Sequence, residues 1–95
     1  MSTIEKKKNA YRTDRLPVIM PYHWRSNNAL VPGDLVYYGP CPEYYGVGVI
    51  QRVVEHICIV DFRGTGETGL HKDALEKKYL IPIHKLGLSH LLKEV

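Results

Sequence analysis

Residues Pro32 to Ile83 read PGDLVYYGPCPEYYGVGVIQRVVEHICIVDFRGTGETGLHKDALEKKYLIPI, a series of short β-prone runs punctuated by Gly and Pro. The first strand, Asp34 to Tyr38, opens after Pro32-Gly33. It stops at Gly39-Pro40 because Pro40 and Pro42 have no N–H to give to a ladder. A seven-residue loop, Gly39 to Tyr45, leads into a long second strand, Gly46 to Val54. Gly46 and Gly48 inside that strand predict sharp bending or close backbone approach. Glu55-His56 then predicts a tight hairpin, although it lacks the Asn-Gly or Asp-Gly pair that such turns favour. In the third strand, Ile57 to Phe62, Cys58, Val60 and Phe62 alternate onto one face and are assigned to the core. Cys58 is then a small buried hydrophobe, the usual place of a free thiol. Arg63 to Gly69 is a Gly-rich loop, Lys72 to Leu75 is read as a single helical turn, and Tyr79 to Ile83 as a last strand whose Pro82 suits a sheet edge. A bent second strand among short neighbours predicts an all-β fold, a small bent-sheet barrel over residues 32–83.

The flanks read differently. Residues 1–31 form a basic arm. Its apolar segment Leu16 to Met20 is bracketed by Pro17 and Pro21, which disfavours a helix and predicts an extended path. Trp24, among Tyr22, His23 and Arg25, is read as a packing anchor for that arm. In residues 84–95, Leu88, Leu91, Leu92 and Val95 recur at helical spacing, so Leu86 to Val95 predicts a short amphipathic helix. Alone it is too short to be stable and needs the barrel or a partner against its apolar side.

The 95 residues, 44% hydrophobic and 24% charged, are the size and composition of one globular domain with tails. The net charge of +3 is unevenly spread. Residues 1–31 carry six basic groups, Lys6, Lys7, Lys8, Arg12, Arg15 and Arg25, against Glu5 and Asp14, which sums to +4; the other 64 residues carry seven basic and eight acidic groups, −1. The positive charge therefore belongs to the arm, where those six residues are candidates for contact with nucleic acid or an acidic protein surface. A solvated terminus is the plainer reading of the same run. Cys41 and Cys58 support neither a zinc ribbon nor a disulfide framework. No apolar run reaches membrane-spanning length, and the N-terminus lacks the apolar core of a signal peptide. These features predict a soluble chain in the cytoplasm, or in an organelle stroma or matrix.

Gly64-Thr65-Gly66-Glu67-Thr68-Gly69 matches the letters GxGxxG, yet a dinucleotide fold needs a helix opening at the loop and an acid about twenty positions on. Ser89 stands at that distance, and the next acid is Glu94. The loop is read as a link between strands, and no cofactor is expected. His23, His56, His71, His84 and His90 are scattered without metal-ligand or hydrolase spacing, so no metal site is expected either. Neither a nucleophile elbow nor a paired acid and base is legible, and Asp61, Glu67 and Asp73 show no pairing, so the chain is not expected to be an enzyme. Tyr37, Tyr38, Tyr44, Tyr45 and Phe62 admit an aromatic cage for a methylated ammonium. The preferred reading closes the barrel with Phe62 and gives Tyr44 and Tyr45 to protein contact. If Val36, Cys58, Val60 and Phe62 point inward, then Leu35, Tyr37, Ile57 and Ile59 point outward and need cover. The arm or the C-terminal helix supplies it, or a partner does. The candidate protein-binding residues are accordingly Leu35, Tyr37, Tyr44, Tyr45, Ile57 and Ile59.

Gly33-Asp34-Leu35-Val36, then Tyr45-Gly46-x-Gly48-x-Ile50, then Val60-x-Phe62-x-Gly64-x-Gly66, then Leu75-Glu76 resembles the Tudor-like, SH3-like barrel at the C-terminus of UvrD-type helicases. The same residues are similar to the N-terminal barrel of the RNA polymerase recycling ATPase RapA and, more distantly, to CarD-like polymerase-interacting domains. The resemblance covers residues 32–83 and leaves both flanks outside it. It implies a five-stranded SH3-like barrel that docks on RNA polymerase or on nucleic acid and has no catalytic residues of its own. Glu55-His56 departs from the family's frequent Gly-Asp turn, and the barrel is expected to stand alone, without a motor domain. The expected function is a non-enzymatic binding module of the transcription machinery. The alternative is a small structural accessory subunit of a large complex, such as a photosynthetic or respiratory electron-transfer assembly.

Overall fold

The computed structural model describes residues 13–21 and 30–92. They form one five-stranded antiparallel sheet with a single short α-helix. The elements in chain order are β1 (Leu35–Tyr38), α1 (Pro42–Tyr45), β2 (Val47–Val54), β3 (Ile57–Asp61), β4 (Lys72–Glu76) and β5 (Leu80–Pro82). The sheet order is β4-β3-β2-β1-β5, so β4 and β5 are its two edges. Each of β2, β3 and β4 follows its neighbour by a simple antiparallel return, whereas β5 crosses to pair with β1. Pro82 lies opposite Val36 on the β5 edge, where its missing N–H costs no ladder bond.

The register assigns the faces. Val36 lies opposite Gly48, Ile50 opposite Val60, and Cys58 opposite Leu75, which puts their side chains on one face. There Val36, Ile50, Cys58, Val60, Phe62 and Leu80, with Leu30 from the entry segment, make the main core. A register shift between Ile50 and Arg52 places a bulge at Gln51, which bends β2 and lets Val53 return to the inner face opposite Cys58. Gly48, earlier in β2, is required by close approach: a Cβ there would stand 2.6 Å from both Phe62 and Val60 side-chain atoms. The Glu55-His56 hairpin forms as expected, joining Val54 to Ile57, with Glu55 at φ 56.

A second core covers the other face of β1, β5 and the start of β2. Tyr37, Val47, Ile81 and Ile83 meet Leu16 from the N-terminal side and Leu92 from the C-terminal side, with Leu35, Ile19, Leu88 and Leu91 packed around them. Two hydrogen bonds fix the arm. The Tyr37 hydroxyl donates to Pro17 O at 2.8 Å, and Ile19 N–H donates to Gly39 O at 2.9 Å. Extended backbone between Pro17 and Pro21 leaves those groups free for the sheet.

Three local expectations are corrected. Lys72 to Leu75 is not a helical turn but most of β4; the Ala-Leu-Glu-Lys composition favours helix, yet the open side of β3 offers a ladder and tertiary pairing prevails. The turn sits one step later, as a 3-10 helix over Lys77–Tyr79, so the last strand starts at Leu80. The loop Gly39 to Tyr45 contains α1, with Pro42 in its first turn, where no N–H is required. At the C-terminus the expected helix is a turn through Gly87, at φ 70, followed by a 3-10 helix over Ser89–Leu92. Leu88, Leu91 and Leu92 still pack as their spacing predicts; Val95, with Lys93 and Glu94, lies outside the described residues. Among the described residues no helix is long and apolar enough to cross a membrane.

Candidate functional site

The same outward sheet surface has two unlike halves. Over β1 and β5 the chain's own flanks cover it. Over the end of β2, β3 and β4 the described flanks do not reach. Pairing of Val54 with Ile57, Arg52 with Ile59, Ile59 with Ala74, and Asp61 with Lys72 gathers these side chains on that second half. Ile57 and Ile59 are half-buried by their neighbours, Val54 is 48% exposed, and Arg52, Lys72 and Ala74 are exposed. The half is an apolar strip edged by charge of both signs. Arg52 and Val54 were not singled out from the sequence, because their side of β2 depends on the bulge at Gln51, which alternation alone does not reveal.

A tyrosine cluster closes the inner side. Tyr45 stacks on Phe62 with centroids 5.1 Å apart and meets the edges of Tyr38 and Tyr44 at 5.0 and 4.8 Å. Tyr79, from the turn before β5, lies 5.8 Å from Tyr38, and the Lys78 ammonium stands 5.4 Å from the centre of the Tyr79 ring. Tyr45 reaches across the open side of the sheet to β4, where its hydroxyl donates to the Asp73 carboxylate. Burial first, and that hydrogen bond second, push the Tyr45 phenol up to about 12. Burial likewise raises Tyr38 and the Cys58 thiol. Tyr79 and Asp73 were missed because only the crossover of β5 and the strand character of β4 bring them here.

The Gly-rich loop has a structural task that its letters do not announce. Gly64, Thr65, Glu67, Thr68 and Gly69 each donate their amide within the chain, Glu67 to Glu43 O and Thr68 to Tyr44 O. The Thr65 hydroxyl donates to Val47 O at 3.1 Å and accepts from Val47 N–H at 3.0 Å. The loop therefore clasps α1 and the start of β2, and these amides are not turned toward an anion. Two open clefts of about 210 and 270 Å³ flank α1; the second is lined by Thr13, Glu43, Thr65, Gly66 and Glu67. Among the described residues no three His, Cys, Asp or Glu side chains converge on a metal position.

The six candidate protein-binding residues thus separate into three places. Leu35 is half-buried and Tyr37 fully buried in the second core, under the chain's own flanks. Ile57 and Ile59 lie together on the uncovered half. Tyr44, 45% exposed, and the half-buried Tyr45 belong to the tyrosine cluster. Of the basic candidates, Arg15 is exposed in a 3-10 turn over Thr13–Arg15, while Lys6, Lys7, Lys8, Arg12 and Arg25, with Trp24, lie outside the described residues. His84 is bonded through Nδ1 to Ser89 Oγ at 2.5 Å, an exposed contact that holds the C-terminal turn.

Comparison of the chain with protein-family models, with curated proteins and with solved structures finds no match in any of the three.

Proposed function

We propose that this chain is a non-enzymatic docking module whose body is a small SH3-like (Tudor-like) barrel. The strand order, the bulge in β2, and Tyr45 bridging from α1 to Asp73 across the open side support the barrel reading. The observation that carries the docking function is the unequal cover of the outward face. Leu35 and Tyr37 are closed in by the chain's flanks, while Ile57, Ile59 and Val54 form an apolar strip that the described flanks leave to solvent. RNA polymerase is the partner implied by the resemblance of residues 32–83. The basic arm, Lys6 to Arg25, would add a salt-sensitive attraction to nucleic acid or to an acidic protein surface.

The test is binding of the full chain to purified core RNA polymerase on a sensor surface. Saturable binding that persists in about 0.5 M salt and is lost in Ile59→Glu is expected, because an apolar contact is little screened. Absence of wild-type binding removes the polymerase, and binding indifferent to Ile59→Glu removes the face.

A second reading has its own support in charge. The 64 residues after the arm sum to −1, which gives the sheet no field for a phosphate backbone and suits a protein site in a large assembly. A structural accessory subunit of an electron-transfer complex fits that balance. Co-fractionation with such a complex, rather than with nucleoid, separates the two.

A further inference from the structure

β4 is an edge, and its alternation is fixed by the bonds at its two ends. Phe62 N–H donates to His71 O, and Lys77 N–H donates to His56 O at 2.8 Å. Between those bonded pairs the antiparallel pattern alternates, so Asp73 and Leu75 bond to β3, while Lys72, Ala74 and Glu76 turn their backbone groups to the free side. Those groups are a template for another strand. The side chains beside them read Lys72, Ala74, Glu76: a cation, a small exposed centre and an anion, symmetric in position and opposite in charge about Ala74.

We infer that the free edge of β4 pairs antiparallel with β4 of a second copy of this chain, about a two-fold axis through Ala74. In that register Lys72 of each copy faces Glu76 of the other, twice, and Ala74 faces Ala74. Three facing pairs with two bonds each make about six hydrogen bonds. Charge selects this register over its neighbours. A slip of two residues sets Lys72 or Glu76 against Ala74, and a slip of four sets Lys72 against Lys72 or Glu76 against Glu76, which repel. The outward Ile59–Ala74 pairs of the two copies then adjoin, and one continuous sheet runs through both.

Among the described residues two side-chain contacts occupy this edge. Ala74 N–H is capped by Asp73 Oδ1 at 2.8 Å, and Glu76 pairs with Lys78 at 3.4 Å. Both are exposed and exchange readily for inter-strand partners, and Asp73 keeps the Tyr45 hydroxyl when it releases the amide. The dimer is therefore weak and concentration-dependent, as a single short ladder requires.

Sedimentation equilibrium of the full chain, from about 10 µM to about 1 mM, reads the association. Wild type is expected to dimerise. Lys72→Glu and Glu76→Lys each weaken it about tenfold, because each puts like charges opposite at both symmetric positions. The double variant K72E/E76K restores it, since the charges are exchanged across the axis. Urea melts of each variant separate lost pairing from lost folding. A wild type that stays monomeric over the whole range, single variants that associate as wild type does, or a double variant no better than the singles each overturns the proposal. The inference stands apart from docking on polymerase, which is read through Ile59→Glu on a different assay.

Discussion

Gly46→Ala is expected to destabilise the chain far more than one methyl group suggests. Gly46 ends α1 at φ 83 and ψ −153, a region that residues other than Gly essentially do not hold, at about 1–3 kcal/mol. A Cβ there falls inside the contact distance of Thr65 Oγ1 and lies 2.6 Å from Gly66 N. The Gly-rich loop must move away, and Thr65 then loses both hydrogen bonds to Val47, worth about 1 kcal/mol each. The sum is about 3–5 kcal/mol, a large part of the roughly 5–14 kcal/mol expected for a domain of this length. Gly69→Ala is the control. Gly69 also has positive φ, 70, but nothing lies within 4 Å of its Cβ position, so only the backbone cost, about 1 kcal/mol, is expected. Urea unfolding followed by circular dichroism measures both. Equal midpoints for the two variants would refute the clasp between loop and α1.

Tyr37→Phe removes the donor to Pro17 O, and a loss of about 1–2 kcal/mol in urea melts is expected, with faster hydrogen exchange at Ile19 as the arm loosens. Glu55→Gly relieves a positive φ in the β2–β3 turn and is expected to stabilise by about 0.5–1 kcal/mol; an unchanged or lower midpoint would contradict it. Alkali should weaken the fold. Burial raises Tyr37 and Tyr38, and burial with the Asp73 bond raises Tyr45 to about 12, against 10.0 for an ordinary phenol. The folded chain therefore keeps protons that the unfolded chain releases, so this stability is intact below pH 10 and declines as pH rises through about 12. Phenolate absorbance and circular dichroism should move together, and Tyr45→Phe should flatten the decline.

The strands whose alternation meets one buried and one open face were legible, as in Cys58, Val60 and Phe62, because local pattern and tertiary contact agree there. β1 was legible from its punctuation by Pro32-Gly33 and Gly39-Pro40. β4 was not, since its helix-forming composition is overruled by pairing with β3 across the Gly-rich loop, which leaves no mark on the local sequence of β4. Of the candidate surface, Ile57 and Ile59 followed from alternation. Val54 and Arg52 needed the bulge, Tyr79 needed the crossover of β5, and Asp73 needed the strand character of β4. The cover over Tyr37 and Leu35 was one of two readings of the sequence; the bond that the Tyr37 hydroxyl gives to Pro17 O, the Ile19 N–H bond to Gly39 O and the packing of Leu16 and Leu92 place the chain's own flanks there.

The second core also sets what can be cut from this chain without loss. A fragment trimmed to its strands, from Leu35 to Pro82, would keep every ladder of the sheet, yet it would strip Leu16, Ile19, Leu88, Leu91 and Leu92 from Tyr37, Val47 and Ile81. That fragment would present a freshly bared apolar surface beside the β5 edge and would aggregate rather than fold as a smaller domain. Trimming must therefore spare Leu16 and Ile19 before the strands and Leu88, Leu91 and Leu92 after them, because their packing belongs to the same core as Tyr37 and Ile81.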